Sequence, residues 1–104
     1  MDDPDRAWIE SKIQRKLIEF AGMLGIKLIP VADRGRRGFP DLLGFIRTRT
    51  GTRGFLIELK TVGGRVSPIQ RIYHRDLSPY IEVIVAYGYR EAVEIIRKIR
   101  EENN

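Results

Sequence analysis

Two carboxylates and a lysine stand out in the middle of the chain because of the residues around them. Between Arg34 and Arg75 there are nine arginines and one lysine, Lys60, but only two acids, Asp41 and Glu58. Ten cations against two acids give this segment a net charge of +8, and nine cations against twelve acids leave the rest of the chain at −3. A basic surface attracts a polyanion. Two acids and a lysine kept within it could form a metal site that cleaves phosphodiester bonds.

That chemistry accounts for the residue types. A divalent cation held by carboxylates polarises a scissile phosphate and lowers the pKa of a bound water. A lysine supplies a point charge near the developing negative charge, or it orients the water. The chain has no cysteine and one histidine, which excludes thiolate and multi-histidine zinc sites. Oxygen ligands, including a backbone carbonyl such as that of Leu59, instead favour Mg²⁺ or Mn²⁺.

Two strands must position these residues. The patterns of 41–48 and 53–61 predict strands that form a hairpin around Thr50-Gly51. Glu58 and Lys60 then share one face of the second strand, because side chains alternate between faces. A two-residue turn at Thr50-Gly51 would pair Asp41 with Lys60 on that same face. A slip of one residue would move Asp41 to the opposite face.

A first helix is predicted over 5–24 by an apolar stripe that includes Ile13 and Leu17. Glu10 falls inside this stripe, about 20° from Leu17 around the helix axis. An inward-facing carboxylate is costly unless it is paired or bound to a cation. We therefore expect this helix to present Glu10 to the sheet face that carries Glu58.

The remaining elements complete an α/β fold. We predict a strand over 26–31, loops over 33–38 and 62–65, a helix from the capping box at 67–70 to about Ser78-Pro79, a buried strand over 81–86 and a final helix over 90–100. The order α-β-β-β-α-β-α indicates a mixed sheet flanked by helices. At 104 residues the chain is expected to be one domain, 1–104, with 1–4 and 101–104 poorly ordered.

Four sequence motifs in this order resemble a known family. They are Glu10 on the first helix, Gly38-Phe39-Pro40-Asp41-Leu42, Glu58-Leu59-Lys60 and Ser67-Pro68-Ile69-Gln70. Together they resemble the virus-type replication-repair nuclease (VRR-NUC) domain of the PD-(D/E)xK superfamily. The resemblance implies a restriction-endonuclease-like mixed sheet and cleavage of DNA that depends on Mg²⁺ or Mn²⁺.

The resemblance also implies a role for each motif residue. Glu10, Asp41 and Glu58 would be metal ligands, Lys60 the catalytic lysine and Gln70 a group near the scissile phosphate. Stand-alone members of this size resemble dimeric phage-type nucleases that act on branched DNA, including four-way (Holliday) junctions. Because resolving a junction requires two cuts, a homodimer is expected. No small-molecule cofactor is expected.

The arginines are expected to serve DNA binding. Phosphate contact is favoured for the Arg34-Gly35-Arg36-Arg37 loop and for Arg65 and Arg71. There is no apolar run of about 18 residues, so no membrane span is expected. The acidic N-terminus lacks the order of a signal peptide, and we expect an intracellular (cytoplasmic) location. A viral or phage, bacterial or archaeal origin is compatible with the sequence.

Other interpretations of the same residues stay open. The pattern also fits an archaeal-type Holliday junction resolvase or a general PD-(D/E)xK nuclease. It also fits an inactive nucleic-acid-binding module, or a subunit whose basic face meets an acidic protein. Glu10 could lie at the edge of its helix face with its tip in solvent, and Gln70 could serve only its capping box. His74 fits a surface or partly packed residue better than a general base.

Overall fold

The described residues form a four-stranded mixed sheet flanked by helices. A computed structural model describes residues 8–31 and 38–103 of the chain. Its elements are α1 (Glu10–Met23), β1 (Lys27–Pro30), β2 (Leu42–Thr48), β3 (Gly51–Lys60), α2 (Pro68–Leu77), β4 (Glu82–Tyr87) and α3 (Tyr89–Glu102). This is the predicted order α-β-β-β-α-β-α, so the predicted fold class is confirmed.

The sheet has the strand order β1-β2-β3-β4. The first three strands pair antiparallel, whereas β3 and β4 pair parallel. A parallel pair needs a crossover connection, and α2 provides it. The ten-residue β3 is thus an interior strand, which pairs with β2 on one side and with β4 on the other.

The predicted hairpin register is wrong by two residues. Thr48 pairs with Gly51, so Arg49 and Thr50 occupy the turn in place of Thr50 and Gly51. The Thr48 hydroxyl explains the shift, because it accepts a hydrogen bond from the Thr50 amide at 3.3 Å and donates one to the Gly51 carbonyl at 3.2 Å. An even shift keeps every side chain on its predicted face. Extended by one residue, this register aligns Asp41 with Glu58 instead of Lys60.

The two faces of the sheet have different partners. Phe55, Ile57 and Leu59 of β3 belong to the main apolar core, together with buried residues of α1 and α3. Those helical residues are Ile13, Leu17 and Ala21 of α1, and Ala92, Ile96 and Ile99 of α3. Glu58 and Lys60 lie on the opposite face of β3. The structure therefore separates the face that supplies most of the apolar burial from the face that carries the charged residues.

Two predictions about the C-terminal third need correction. The sequence pattern predicts that β4 is a buried strand, but only Ala86 is fully buried in it. The reason is that β4 is an edge strand, and α2, on the same side, has no fully buried residue. The last helix extends to Glu102, so Glu101 and Glu102 are helical where a poorly ordered tail is expected from the sequence. The predictions for residues 1–4 and 104 lie outside the described residues.

Arg53 links three elements of the fold. Its guanidinium hydrogen-bonds to Glu82 of β4 and, at 3.4 Å, to Glu102 of α3. The hydrogen bond that it donates to Glu82 is the largest of the effects that raise the pKa of Arg53. One arginine of the basic segment is therefore paired with glutamates of the protein and contributes little to a surface for anions.

No helix within the described residues is long and apolar enough to cross a membrane.

The packing at Gly44 provides a test of the fold. A Cβ atom at this position would lie 2.4 Å from two carbons of the Phe55 ring, whereas one at Gly22 in α1 would meet nothing within 4 Å. We expect Gly44→Ala to lower the free energy of unfolding by about 1–3 kcal/mol through overpacking. We expect Gly22→Ala to raise it by up to about 1 kcal/mol, since alanine favours helix. Urea unfolding of both variants checks this; equal midpoints would contradict the packing described here.

Candidate active site

The structure brings Asp41 and Glu58 together where β2 begins and β3 ends. Asp41 directly precedes β2, and its Oδ2 accepts a hydrogen bond from the Leu59 amide at 2.7 Å. Its backbone carbonyl accepts a second hydrogen bond, from the Val31 amide at 2.9 Å. Glu58 is only 1% exposed and is the one buried charged residue in the described part of the chain. The buried carboxylate of Glu58 thus lies beside the half-buried carboxylate of Asp41.

This environment strongly affects the ionisation of Glu58. Burial raises its pKa most, and a hydrogen bond to Asp41 and the negative charge of Asp41 raise it further, to about 9. The positive charge of Lys60 opposes the shift, and the charge of Glu10 adds to it. A buried carboxyl group next to a second carboxylate does not easily ionise. Without a cation, the pair therefore holds one proton at neutral pH.

Lys60 lies close to this pair. It ends β3 and is half-buried, and its positive charge lowers the pKa of both Glu58 and His74. An ammonium group in this position can stabilise negative charge that develops on a phosphate bound beside the carboxylates.

Glu10 lies differently from its predicted position. It is exposed on the first turn of α1, and it acts on Glu58 through its charge alone. By its angle around the helix axis Glu10 falls within the apolar stripe, but it precedes Ile13, which is the first buried residue of α1. Water therefore still reaches Glu10. Among the described residues, no three histidine, aspartate or glutamate side chains are arranged to hold a metal ion. The compact carboxylate group consists of Asp41 and Glu58.

The segment before Asp41 is packed against α2. Gly38 has a φ of 89°, and a Cβ there would lie 3.1 Å from backbone atoms of Ile69 and Gln70. Phe39 packs edge-on against Tyr73, with 5.9 Å between ring centroids, and Pro40 is fully buried. Glycine is needed here both for its backbone conformation and for the close approach. These contacts place Asp41 and α2 on the same side of the sheet.

Gln70 forms the predicted capping box. Its side-chain Oε1 accepts a hydrogen bond from the backbone amide of Ser67 at 2.8 Å, and its backbone amide donates one to Ser67 Oγ at 3.2 Å. Its side-chain Nε2 makes no hydrogen bond to any described residue and can donate elsewhere. The oxygen of Gln70 thus has a structural role, while the nitrogen is available to a phosphate.

His74 also belongs to this site, as a partly packed residue, whereas the sequence predicted no role for it in the site. Its Nε2 lies 3.5 Å from Glu58 Oε1. Burial and the charge of Lys60 lower the pKa of His74, so the contact joins two neutral groups in the metal-free protein and is not an ion pair. The spacing of His74 could have indicated its place in the site, because it follows Gln70 by one helical turn and so lies on the same helix face.

The arginines expected to contact DNA are only partly described. Arg34, Arg36 and Arg37 lie outside the described residues. Arg65, in the loop between β3 and α2, and Arg71, in the first turn of α2, are both exposed. Neither forms an ion pair with a carboxylate in the described part of the chain. Both cations therefore remain available to an anion.

The carboxylate pair fits a hard divalent cation. The carboxyl group of Glu58 is buried and lies beside that of Asp41, which raises its pKa. Two carboxylates with a backbone carbonyl available from the same strand form the oxygen donor set that Mg²⁺ and Mn²⁺ prefer. A bound cation would replace the shared proton as the neutralising charge.

The pKa of Glu58 yields a testable pH dependence. Between its ordinary value of 4.5 and about 9, the folded protein binds a proton at Glu58 that the unfolded chain has lost. The free energy of unfolding in chelator should therefore fall as pH rises through this window, by at most about 1.4 kcal/mol per pH unit from this group. Glu58→Gln should remove that contribution and be more stable than wild type at pH 8.

Urea unfolding at several pH values measures this difference, with Glu19→Gln, at an exposed position of α1, as the control. Adding Mg²⁺ at pH 8 should stabilise wild type and leave Glu58→Gln unchanged. If Glu58→Gln follows the wild-type pH curve, Glu58 is not protonated in the folded state as described.

Comparisons with known proteins agree with this geometry. The family model of the VRR-NUC domain matches residues 25–93, which include Asp41, Glu58, Lys60 and Gln70 and leave Glu10 outside. A solved structure described as a VRR_NUC domain is similar over 85% of this chain and 94% of that chain, with a TM-score of 0.68 and 24% sequence identity. Similarity at this identity shows the fold. No curated protein sequence matches the chain.

The family match covers well over half of the chain, and the solved structure shares its architecture. Domains of the PD-(D/E)xK type are nucleases that generally use divalent metal ions. The chain belongs to the VRR-NUC domain family, a family of PD-(D/E)xK-type nucleases.

Proposed function

We propose that this protein is an endonuclease that hydrolyses phosphodiester bonds in branched DNA, such as four-way junctions, with Mg²⁺ or Mn²⁺. The observation that carries the proposal is the buried Glu58 held next to the half-buried Asp41, with Lys60 close by. A carboxylate pair is costly to bury inside a basic protein unless a cation or proton joins it. The same basic surface attracts nucleic acid.

Each residue of the site has a distinct task in this proposal. Asp41 and Glu58, with the carbonyl of Leu59, would hold the cation, which supplies positive charge at the scissile phosphate when bound. The Leu59 amide fixes the Asp41 carboxylate through its 2.7 Å hydrogen bond. Lys60 stabilises charge on the phosphate or orients the attacking water. Glu10, which is exposed, would act on the site at longer range.

The basic residues and Gln70 would position the DNA. The Nε2 of Gln70, which has no hydrogen-bond partner among the described residues, can donate to a phosphate oxygen near the bond that is cut. Arg65 and Arg71, together with Arg34, Arg36 and Arg37, would contact flanking phosphates. Because one chain has one such site and a junction needs two opposed cuts, the working form would be a homodimer. A DNA substrate implies an intracellular location.

A second candidate function has one observation in its favour. Glu10 is exposed, and no third carboxylate completes a metal-binding group among the described residues. This arrangement also suits a nuclease-like module that binds branched DNA without cutting it. The presence of Asp41, Glu58 and Lys60 in one place favours the enzyme.

The first test separates cutting from binding. We expect Asp41→Asn to abolish cleavage of junction, flap and nicked DNA in Mg²⁺ or Mn²⁺. It should keep or tighten DNA binding, because a negative charge near the phosphate is removed. Gel assays with labelled DNAs measure cutting, and fluorescence anisotropy in chelator measures binding. Asp76→Asn, an exposed acid on α2, is the control.

Two results would count against the enzyme. Wild type that binds branched DNA but never cuts any form with either metal would support the inactive module. Parallel loss of cutting and binding in Asp41→Asn would mean that Asp41 maintains the fold instead of the reaction.

The second test concerns the arginines. Replacing both Arg65 and Arg71 with glutamine should weaken binding to all DNA sequences alike. It should also reduce the slope of log affinity against log salt by about 1 for each phosphate that the protein no longer neutralises. Arg97→Gln, an exposed arginine on α3 across the sheet, should leave the slope unchanged. Weaker binding to particular sequences alone would indicate base recognition and contradict phosphate contact.

A further inference from the structure

Two buried polar atoms face each other between β3 and α2. Glu58 Oε1 and His74 Nε2 are 3.5 Å apart, and their side chains are 2% and 17% exposed. Each atom is shielded from solvent, and neither has a hydrogen-bond partner in the described part of the chain. Buried polar atoms in folded proteins are nearly always hydrogen-bonded. A mutual contact between two such atoms therefore calls for a functional explanation.

The packing of α2 holds this contact in place. The capping box of Ser67 and Gln70 defines where α2 begins, and Phe39 packs against Tyr73, the neighbour of His74. The close approach of Gly38 to the first turn of α2 allows the helix to lie near the strand that carries Glu58. The imidazole is thus positioned by a rigid element, and a shift of a few tenths of an ångström would bring the two atoms within ordinary hydrogen-bond distance.

The chemistry of the imidazole determines the direction of the hydrogen bond. An imidazole nitrogen donates a hydrogen bond only when it carries a proton. When Glu58 is a carboxylate that holds a cation, both of its oxygens are acceptors. Only the tautomer with the proton on Nε2 can then donate to Glu58 Oε1. Such outer partners orient the carboxylates that ligate metals.

We propose that His74 is a positioning residue that donates a hydrogen bond from Nε2 to Glu58 Oε1 and so turns the other oxygen of Glu58 toward the cation beside Asp41. This inference rests on the proposed function, because it assumes that the carboxylate pair holds a divalent ion. It assigns His74 no direct contact with metal or DNA. Its effect passes through the orientation of Glu58.

A matched pair of substitutions tests this role. Glutamine places a nitrogen donor about as far from the backbone as His74 Nε2, whereas methionine has similar length and no donor. We expect His74→Met to weaken Mn²⁺ binding by about 10- to 100-fold, as measured by calorimetry on the full chain. His74→Gln should recover most of that affinity. Leu77→Met, a half-buried change on the same helix, should bind Mn²⁺ like wild type.

Further readouts separate positioning from other roles. Thermal unfolding in chelator should be similar for His74→Met and His74→Gln, so that a difference in Mn²⁺ affinity reports the donor and not the fold. Pulsed electron paramagnetic resonance of bound Mn²⁺ should show no directly coordinated nitrogen. A coordinated imidazole nitrogen would overturn the proposal in favour of direct ligation. Equal Mn²⁺ affinity in wild type and His74→Met, or equally weakened Mn²⁺ binding in both His74 variants, would overturn it as well.

The experiment also distinguishes this inference from the proposed function. If wild type binds Mn²⁺ but cuts no DNA, the proposed nuclease activity fails while the affinities still decide the role of His74. If wild type binds no Mn²⁺, the cation site fails and the inference fails with it.

Discussion

The structure depends on one electrostatic constraint, which is that a carboxyl group shielded from water is held next to a second carboxylate. Glu58 is buried on β3, and the Leu59 amide fixes Asp41 beside it. In this environment the second negative charge must be neutralised, which raises the pKa of Glu58. A proton or a divalent cation can do so. The basic residues around the pair bring phosphates to the same place, and this combination connects the fold to nuclease chemistry.

The architecture keeps this costly feature apart from the main source of stability. One face of the sheet packs against α1 and α3 in a continuous apolar core. The charged residues lie on the other face, beneath α2, where few side chains are fully buried. Gly38, Phe39 and Pro40 and the capping box of α2 act as structural supports that hold Asp41, Gln70 and His74 near Glu58. Sites that break the usual rules of burial are commonly functional, and the rest of the fold offsets their cost.

Local patterns predicted much of this arrangement. Alternation along β3 placed Glu58 and Lys60 on one face, and the capping box located the start of α2. The register was two residues off because hydrogen bonds of Thr48 select the turn, but side chains have a period of two, so the face of Asp41 was still correct. Patterns within one element do not show where another element ends. For that reason the sequence favoured an inward-facing Glu10 and gave its exposure only as the alternative, and the partial burial of β4 was not predicted.

Contacts between distant parts of the chain could not be predicted from the sequence for a similar reason. Arg53 binds Glu82 and Glu102, and His74 meets Glu58, only because the sheet and helices bring them together.

The most direct test of the central claim is the anomalous diffraction of crystals grown with Mn²⁺. We predict a manganese peak within coordination distance of carboxylate oxygens of both Asp41 and Glu58. A well-defined structure at saturating Mn²⁺ with no manganese peak beside either carboxyl group would contradict it.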